Sequence, residues 1–231
     1  MKRFYREVTL LEVEGGWQVA LDGRPVKTQK GNPQLVTSNA LGKLLTEEWA
    51  GMDEEFSAAD LPLRDLADLA IDAISASRDE TIAKLLSYLD TDTLCYRAEP
   101  DEPLFHRQRE MWDPVLEAFE AREGITLQRV HGIVHKSHPE HSIERLRGRM
   151  AREDEFTLAA LTAMASLATS LCVALQALEP GADGETLWNA ANLEEDWQAE
   201  QWGVDEQAAA RRAKRQADFL KALEFARAAT A

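Results

Sequence analysis

Four of the five histidines, His131, His135, His138 and His141, fall within one short span. Spacing this dense could ligate zinc or nickel if the backbone turned suitably. Gly132 and Pro139 interrupt any helix that would align the rings, no cysteine is near, and Glu140 is the one carboxylate close by. The span reads as a polar surface loop, and no metal, cofactor or catalytic residue is assigned. A metal-assisted enzyme working through the His131–His141 loop is the alternative that this cluster keeps open. The other signatures of small-molecule chemistry are missing from the sequence: no Walker A pattern, no GxGxxG after a strand, no CxxC, no HExxH and no GxSxG elbow.

A second group of residues has binding rather than reactive chemistry. Glu194, Glu195, Asp196 and Glu200 flank Trp197 and Trp202. On a helix, residues 194 and 197 lie one turn apart, as do 197 and 200. Tryptophan supplies contact area and the acids select a basic partner, so Glu194, Glu195, Trp197, Glu200 and Trp202 form a candidate protein-binding surface. The competing reading packs the tryptophans into the core beneath a solvated acidic face. Arg211, Arg212, Lys214 and Arg215 follow on the next helix and can pair with these acids.

The elements that must position this surface are those of an ordinary globular chain. Its 231 residues are 45% hydrophobic and 29% charged, enough for one large domain or two modest ones. The formal net charge of -15 excludes nucleic acid as a partner, because phosphate binding needs a surplus of Lys and Arg. It disfavours an anionic membrane surface equally and suits a basic protein partner. Cys95 and Cys172 each sit in an apolar setting and read as buried thiols in a reducing compartment. Lys2, Arg3, Arg6 and Glu7 break any apolar run at the amino terminus, so no secretory signal is expected. From Phe156 to Leu178 no residue is charged, a length that could span a bilayer. Its alanines and the polar stripe of Thr162, Ser166, Thr169 and Ser170 favour a buried core helix, and no membrane insertion is expected.

Strand chemistry dominates the first stretch. Val8 to Val13 alternates, Gly15-Gly16 makes a turn, and Trp17 to Leu21 runs to Asp22-Gly23, a strong hairpin signal. Arg24 to Thr28 is the expected return strand and Gln34 to Val36 a last short one. Ser38 then caps a helix through Trp49, and the chain turns helical almost throughout. One of these helices is expected to run from Asp183 to about Trp202. The predicted class is α+β, with a small antiparallel β domain at residues 1–58 and a larger all-helical domain at residues 59–231.

At this point the sequence resembles a known family. The opening Arg3-Phe4-Tyr5-Arg6-Glu7-Val8 is followed by a run from Gly16 to Thr28 and by Gly31-Asn32-Pro33. Glu47-Glu48-Trp49-Ala50 comes next, then Leu61-Pro62-Leu63, then Leu66-Ala67 with Ala70-Ile71-Asp72. Further on stand Thr91 to Ala98, Arg107-Gln108 and Trp112-Asp113-Pro114. The last landmarks are Asn192 to Gln198 and Glu200 with Trp202-Gly203. Together these are similar to the alpha-subunit-binding assembly chaperones of F-type ATP synthase, known from mitochondria and alphaproteobacteria.

The resemblance implies a β-rich amino-terminal domain, a helical carboxy-terminal one, and no catalysis. It implies that the chain binds the free alpha subunit, prevents its aggregation and promotes assembly with the beta subunit. A cytoplasmic location in a bacterium, or the mitochondrial matrix for eukaryotic relatives, and a monomeric state are the matching expectations. The family's functionally sensitive glutamate falls on Glu194, with the adjoining Glu195 as the other candidate, and a solvent-facing side chain is expected there. The tryptophan of the Glu-Trp pair falls on Trp49, a structural residue expected at the domain junction. Asp72 and Asp92, inside matching motifs, are likewise read as structural. The chain departs from the family pattern at Asp68, where asparagine is usual, at Arg64-Asp65, where Thr-Arg is usual, and in the histidine-rich loop.

Overall fold

In this computed structural model, residues 2–132 and 136–231 are described. The antiparallel sheet forms where the alternation predicts it. Strands β1 (Val8–Val13) and β2 (Gly16–Leu21) pair from Val8↔Leu21 to Val13↔Gly16. Asp22 and Gly23 both take positive φ, the geometry that lets a two-residue turn match the twist of its strands. The return strand β3 is shorter than expected, Arg24–Pro25, although the Val26 amide still donates to the Val19 carbonyl. β4 (Leu35–Val36) also pairs with β2, so β2 is the central strand of the sheet.

Helix α1 (Asn39–Ala50) starts at Ser38, whose hydroxyl accepts from the Ala40 and Leu41 amides. It lies close on the sheet at Gly42, where a Cβ would come within 2.9 Å of Leu10 Cδ1 and 3.1 Å of Trp17 Cβ. Helix α2 (Pro62–Leu69) runs into a π turn at Ala70–Ile74. Glu48 accepts from the Leu63 and Arg64 amides, giving acceptors to the donors left open at the start of α2. The loop between β3 and β4 is tied to this helical segment through two carboxylates. Asp72 accepts from Thr28 Oγ1, Asn32 Nδ2 and the Lys30 amide, and Asp68 accepts from Gln34 Nε2 and the Gln29 amide.

The remaining helices are α3 (Arg78–Asp90), α4 (Pro103–Glu123), α5 (Glu140–Met150), α6 (Glu155–Ala168), α7 (Leu171–Ala177), α8 (Gly184–Ala191), α9 (Leu193–Trp202) and α10 (Glu206–Ala229). Among them β5 (Tyr96–Arg97) and β6 (Val130–His131) form a short parallel pair. The fold is mixed α+β, strands first and helices after. Its residues gather into two compact units. One holds Met1–Arg78, Asp154–Ala160 and Lys221–Ala231; the other holds Asp79–Glu153 and Leu161–Leu220.

The uncharged stretch from Phe156 to Leu178 is not one helix. Thr169 turns into the left-handed region, with φ +49°, and divides it into α6 and α7. A β-branched residue rarely adopts that conformation, so other contacts must hold it. The Thr169 carbonyl accepts from both the amide and the hydroxyl of Thr93. Beside it the fully buried Asp92 carboxylate accepts from Ser170 Oγ, the Cys172 amide and the Leu94 amide. Among the described residues no helix is long and apolar enough to cross a membrane.

Candidate functional site

The acidic tryptophan segment begins a helix of its own. In place of one helix from Asp183 to Trp202, the chain breaks at Asn192, whose side-chain amide donates back to the Trp188 carbonyl at 2.9 Å. The break gives α9 a fresh amino terminus with Glu194, Glu195 and Asp196 in its first turn, where backbone amides and the helix dipole favour negative charge. Leu193 is buried beneath that turn, and the Trp112 indole N–H donates to the Ala190 carbonyl at 2.7 Å, tying α8 to α4.

The five predicted binding residues do not share one face. Glu194, Trp197 and Glu200 lie toward α4. Gln108, wholly buried there, accepts from the Ala98 amide and donates through Nε2 to Glu194 Oε1 at 2.7 Å. Arg107, the residue before it, holds both carboxylate oxygens of Glu200 at 2.5 and 2.8 Å and stacks its guanidinium over the Trp197 ring at 5.6 Å. Glu195 and Trp202 turn instead toward α10. They line a cavity of about 480 Å³ together with Ala199, Val204, Ala209 and Arg212. Trp202 is 79% exposed at its edge, a large apolar surface left in water.

Most of the acids here are matched by cations, as the run of basic residues on the following helix predicts. Asp196 pairs with Arg212 at 2.7 Å and Glu195 with Arg215 at 3.7 Å, while Glu200 has Arg107. Glu194 differs. It is half-buried rather than solvent-facing, and among the described residues its carboxylate has no cation. Burial raises its pKa, and the neutral hydrogen bond from Gln108 only partly offsets that. Arg107 and Gln108, which hold this face, carry no obvious sign of the role in the sequence beyond their place in the resemblance.

Trp49 is buried in the first unit, between the Tyr5 and Phe56 rings packed edge-on at 5.7 and 6.4 Å. Asp72 and Asp92 are committed to the loop and helix-start contacts already described. The histidines do not converge. His138 is buried, not part of a polar surface loop: its Nδ1 accepts from the Gln128 amide and its Nε2 donates to the Leu89 carbonyl. His131 Nδ1 meets the Ala98 carbonyl at 3.3 Å and its ring packs on Phe105, while His141 contacts Ser142. His135 lies outside the described residues. Among the described residues no group of three or more His, Cys, Asp and Glu side chains could hold a metal ion. Cys95 and Cys172 are buried and free, and burial pushes the Cys172 thiol well up.

Comparison with known proteins places this geometry. The family described as ATP12 chaperone protein matches residues 2–120. Protein atp12, mitochondrial, of Schizosaccharomyces pombe is 28% identical over 220 residues, covering 90% of this chain and 75% of its own length. The crystal structure of Atp12 from Paracoccus denitrificans superposes with a TM-score of 0.90 at 32% identity, over 99% of this chain and 98% of that one. The Atu1473 protein of Agrobacterium tumefaciens gives 0.94 at 37% identity, over 98% and 85%. With its fold shared from end to end and its first half matched in sequence, the chain belongs to the ATP12 chaperone protein family.

Proposed function

We propose that the chain binds the free alpha subunit of the F1 sector of F-type ATP synthase through α9, prevents its aggregation and releases it to the beta subunit. The single observation that supports the site is Glu194. Its neighbouring acids already hold cations, whereas this carboxylate is half-buried, raised in pKa by desolvation and served by one neutral donor. A basic group from a partner would relieve that desolvation cost, which an already paired acid would not gain. Trp197, braced by Arg107, and Glu200 flank it on the side toward α4, and the exposed Trp202 with Glu195 extends the surface on the side toward α10. An unassembled subunit exposes interface that invites aggregation. A cover for it must bind firmly enough to protect and loosely enough to be displaced. In this reading the chain is a monomer without catalytic activity, works in the cytoplasm of a bacterium and binds no nucleic acid.

The test is co-expression with the alpha subunit. Soluble alpha subunit should rise and co-purify with this chain, and Glu194→Lys should reduce both, while Glu194→Gln falls between. Failure of the tagged wild-type chain to retain the alpha subunit would remove the reading. Retention unaltered in Glu194→Lys would move the site elsewhere.

A further inference from the structure

The sheet-bearing unit has a concavity of its own with a composition opposite to that of the chain. Arg24, Lys27 and Arg64 and a single acid, Asp22, line a cavity of about 520 Å³, in a protein whose formal charge is -15. Among the lining residues Asp22 offsets one of the three positive charges and leaves an excess of cation. Its carboxylate is committed to the Glu7 and Arg6 amides at 2.9 and 3.0 Å, and those hydrogen bonds hold its pKa low.

Two lining residues carry donors that nothing in the described residues accepts. Trp49 is 6% exposed, and its indole Nε1 has no hydrogen-bond partner among them. The residue is held in place from outside the ring, since the Tyr5 hydroxyl donates to the Trp49 carbonyl at 2.6 Å. Arg64 is the second. Its Nε and Nη2 are buried and make no hydrogen bond among the described residues. Nη2 lies 2.9 Å from Asp65 Oδ1 but outside hydrogen-bond geometry, and Asp65 is 45% exposed. Buried donors of this kind are normally satisfied, and both of the residues that carry them line this one cavity. For the Arg64 guanidinium to swing into the cavity its 2.9 Å ion pair with Asp65 has to break, while no hydrogen bond does.

We propose that this cavity receives an acidic side chain, with an apolar neighbour, from a partner polypeptide. The Nε and Nη2 edge of a guanidinium takes a carboxylate through two parallel hydrogen bonds, and a carboxylate has lone pairs left for an indole N–H. Arg24 and Lys27 add long-range attraction. The polypeptide source follows from Phe4, which stands 69% exposed on the cavity wall and would be covered by the apolar neighbour of the acid but left in water by a small free anion. The site is separate from α9 and does not depend on the reading given for it.

The probe is the amidated tripeptide acetyl-Leu-Glu-Leu, titrated into the full chain while the Trp49 indole N–H and Arg64 Nε–H signals are followed by NMR. Both should move downfield and saturate, and acetyl-Leu-Gln-Leu-amide should leave them in place. Arg64→Gln should weaken binding about tenfold, with Arg64→Lys in between because it keeps the charge and loses the fork. Arg24→Gln with Lys27→Gln should weaken it by a smaller factor, and the thermal melts of these variants should match the wild type. Signals that do not respond to the glutamate peptide, that respond equally to the glutamine peptide, or that respond unchanged in Arg64→Gln would each overturn the proposal. Equal or tighter binding of 3-phenylpropionate or inorganic phosphate would overturn the polypeptide assignment.

Discussion

Gln108 and Glu194 share a hydrogen bond of 2.7 Å in which the wholly buried amide on α4 donates to the half-buried carboxylate on α9. Because the Gln108 carbonyl is already taken by the Ala98 amide, the side chain cannot flip and its Nε2 is fixed toward α9. The carboxylate therefore has a defined position and an undercompensated charge, the combination that a specific cationic contact can use. Arg107, one residue earlier, fixes Glu200 and Trp197 on the same side.

The desolvation of Glu194 has a pH signature. Its folded pKa lies above the ordinary 4.5, so between those two values the folded chain holds more protons than the unfolded one. Stability from this group is therefore lost as pH rises through that window. Glu194→Gln keeps an acceptor for Gln108 and does not titrate. Its stability relative to wild type should rise as pH increases above 4.5 and then level off. Urea denaturation of both proteins between pH 4 and 8 checks this, and a difference independent of pH would contradict it.

The Arg107–Glu200 pair should contribute little to folding despite its two good hydrogen bonds. The side chains are 38% and 48% exposed, so solvent screens the attraction. A double-mutant cycle with Arg107→Ala and Glu200→Ala should give a coupling of about 0.2–1 kcal/mol, falling with added salt. A larger loss of alpha-subunit retention than of stability in Arg107→Ala would indicate that its service to Trp197 matters for binding.

Local chemistry carried much of this structure and long-range pairing carried the rest. The alternation from Val8 to Leu21, the Asp22-Gly23 turn and the Ser38 cap all act within a few residues, and each appears where the pattern places it. The breaks at Asn192 and Thr169 do not announce themselves, because Asn and Thr are tolerated inside helices. Thr169 is held by Thr93, and the adjoining start of α7 is held by Asp92, both far off in sequence. The histidine cluster misled for the same reason: His138 is claimed by Leu89 and Gln128, which no spacing rule connects. On α9 the residue types were readable, but the split of Glu194, Trp197 and Glu200 from Glu195 and Trp202 depends on which helices flank α9. The expected boundary after residue 58 divides the chain once along its length, and the compact units are assembled from discontinuous pieces.

Asp92 should be a sensitive position for stability. Its carboxylate accepts from three donors, and burial raises its pKa against those hydrogen bonds. Asp92→Ala strands the Leu94 and Cys172 amides and the Ser170 hydroxyl, at a cost of about 3 kcal/mol or more. Asp92→Asn keeps one acceptor oxygen and turns an N–H₂ group toward a donor, so it should cost less, about 1–2 kcal/mol. Chemical denaturation ranks the two, and a near-neutral Asp92→Ala would show that the helix break holds without it.

Gly42 offers a test of how closely α1 lies on the sheet. Alanine is the better helix residue by about 1 kcal/mol, but its Cβ would meet Leu10 Cδ1 at 2.9 Å and Trp17 Cβ at 3.1 Å. The leucine methyl can shift by a few tenths of an ångström, while the Trp17 Cβ is fixed to the β2 backbone. The two effects oppose, and Gly42→Ala should change stability by no more than about 1 kcal/mol. Gly42→Val adds two further carbons where no space is left and loses the propensity gain, so about 2 kcal/mol of destabilisation is expected. Thermal and urea melts of the two variants decide it: if valine is tolerated as well as alanine, α1 can lift from the sheet and the close approach at Gly42 is not a constraint on the fold.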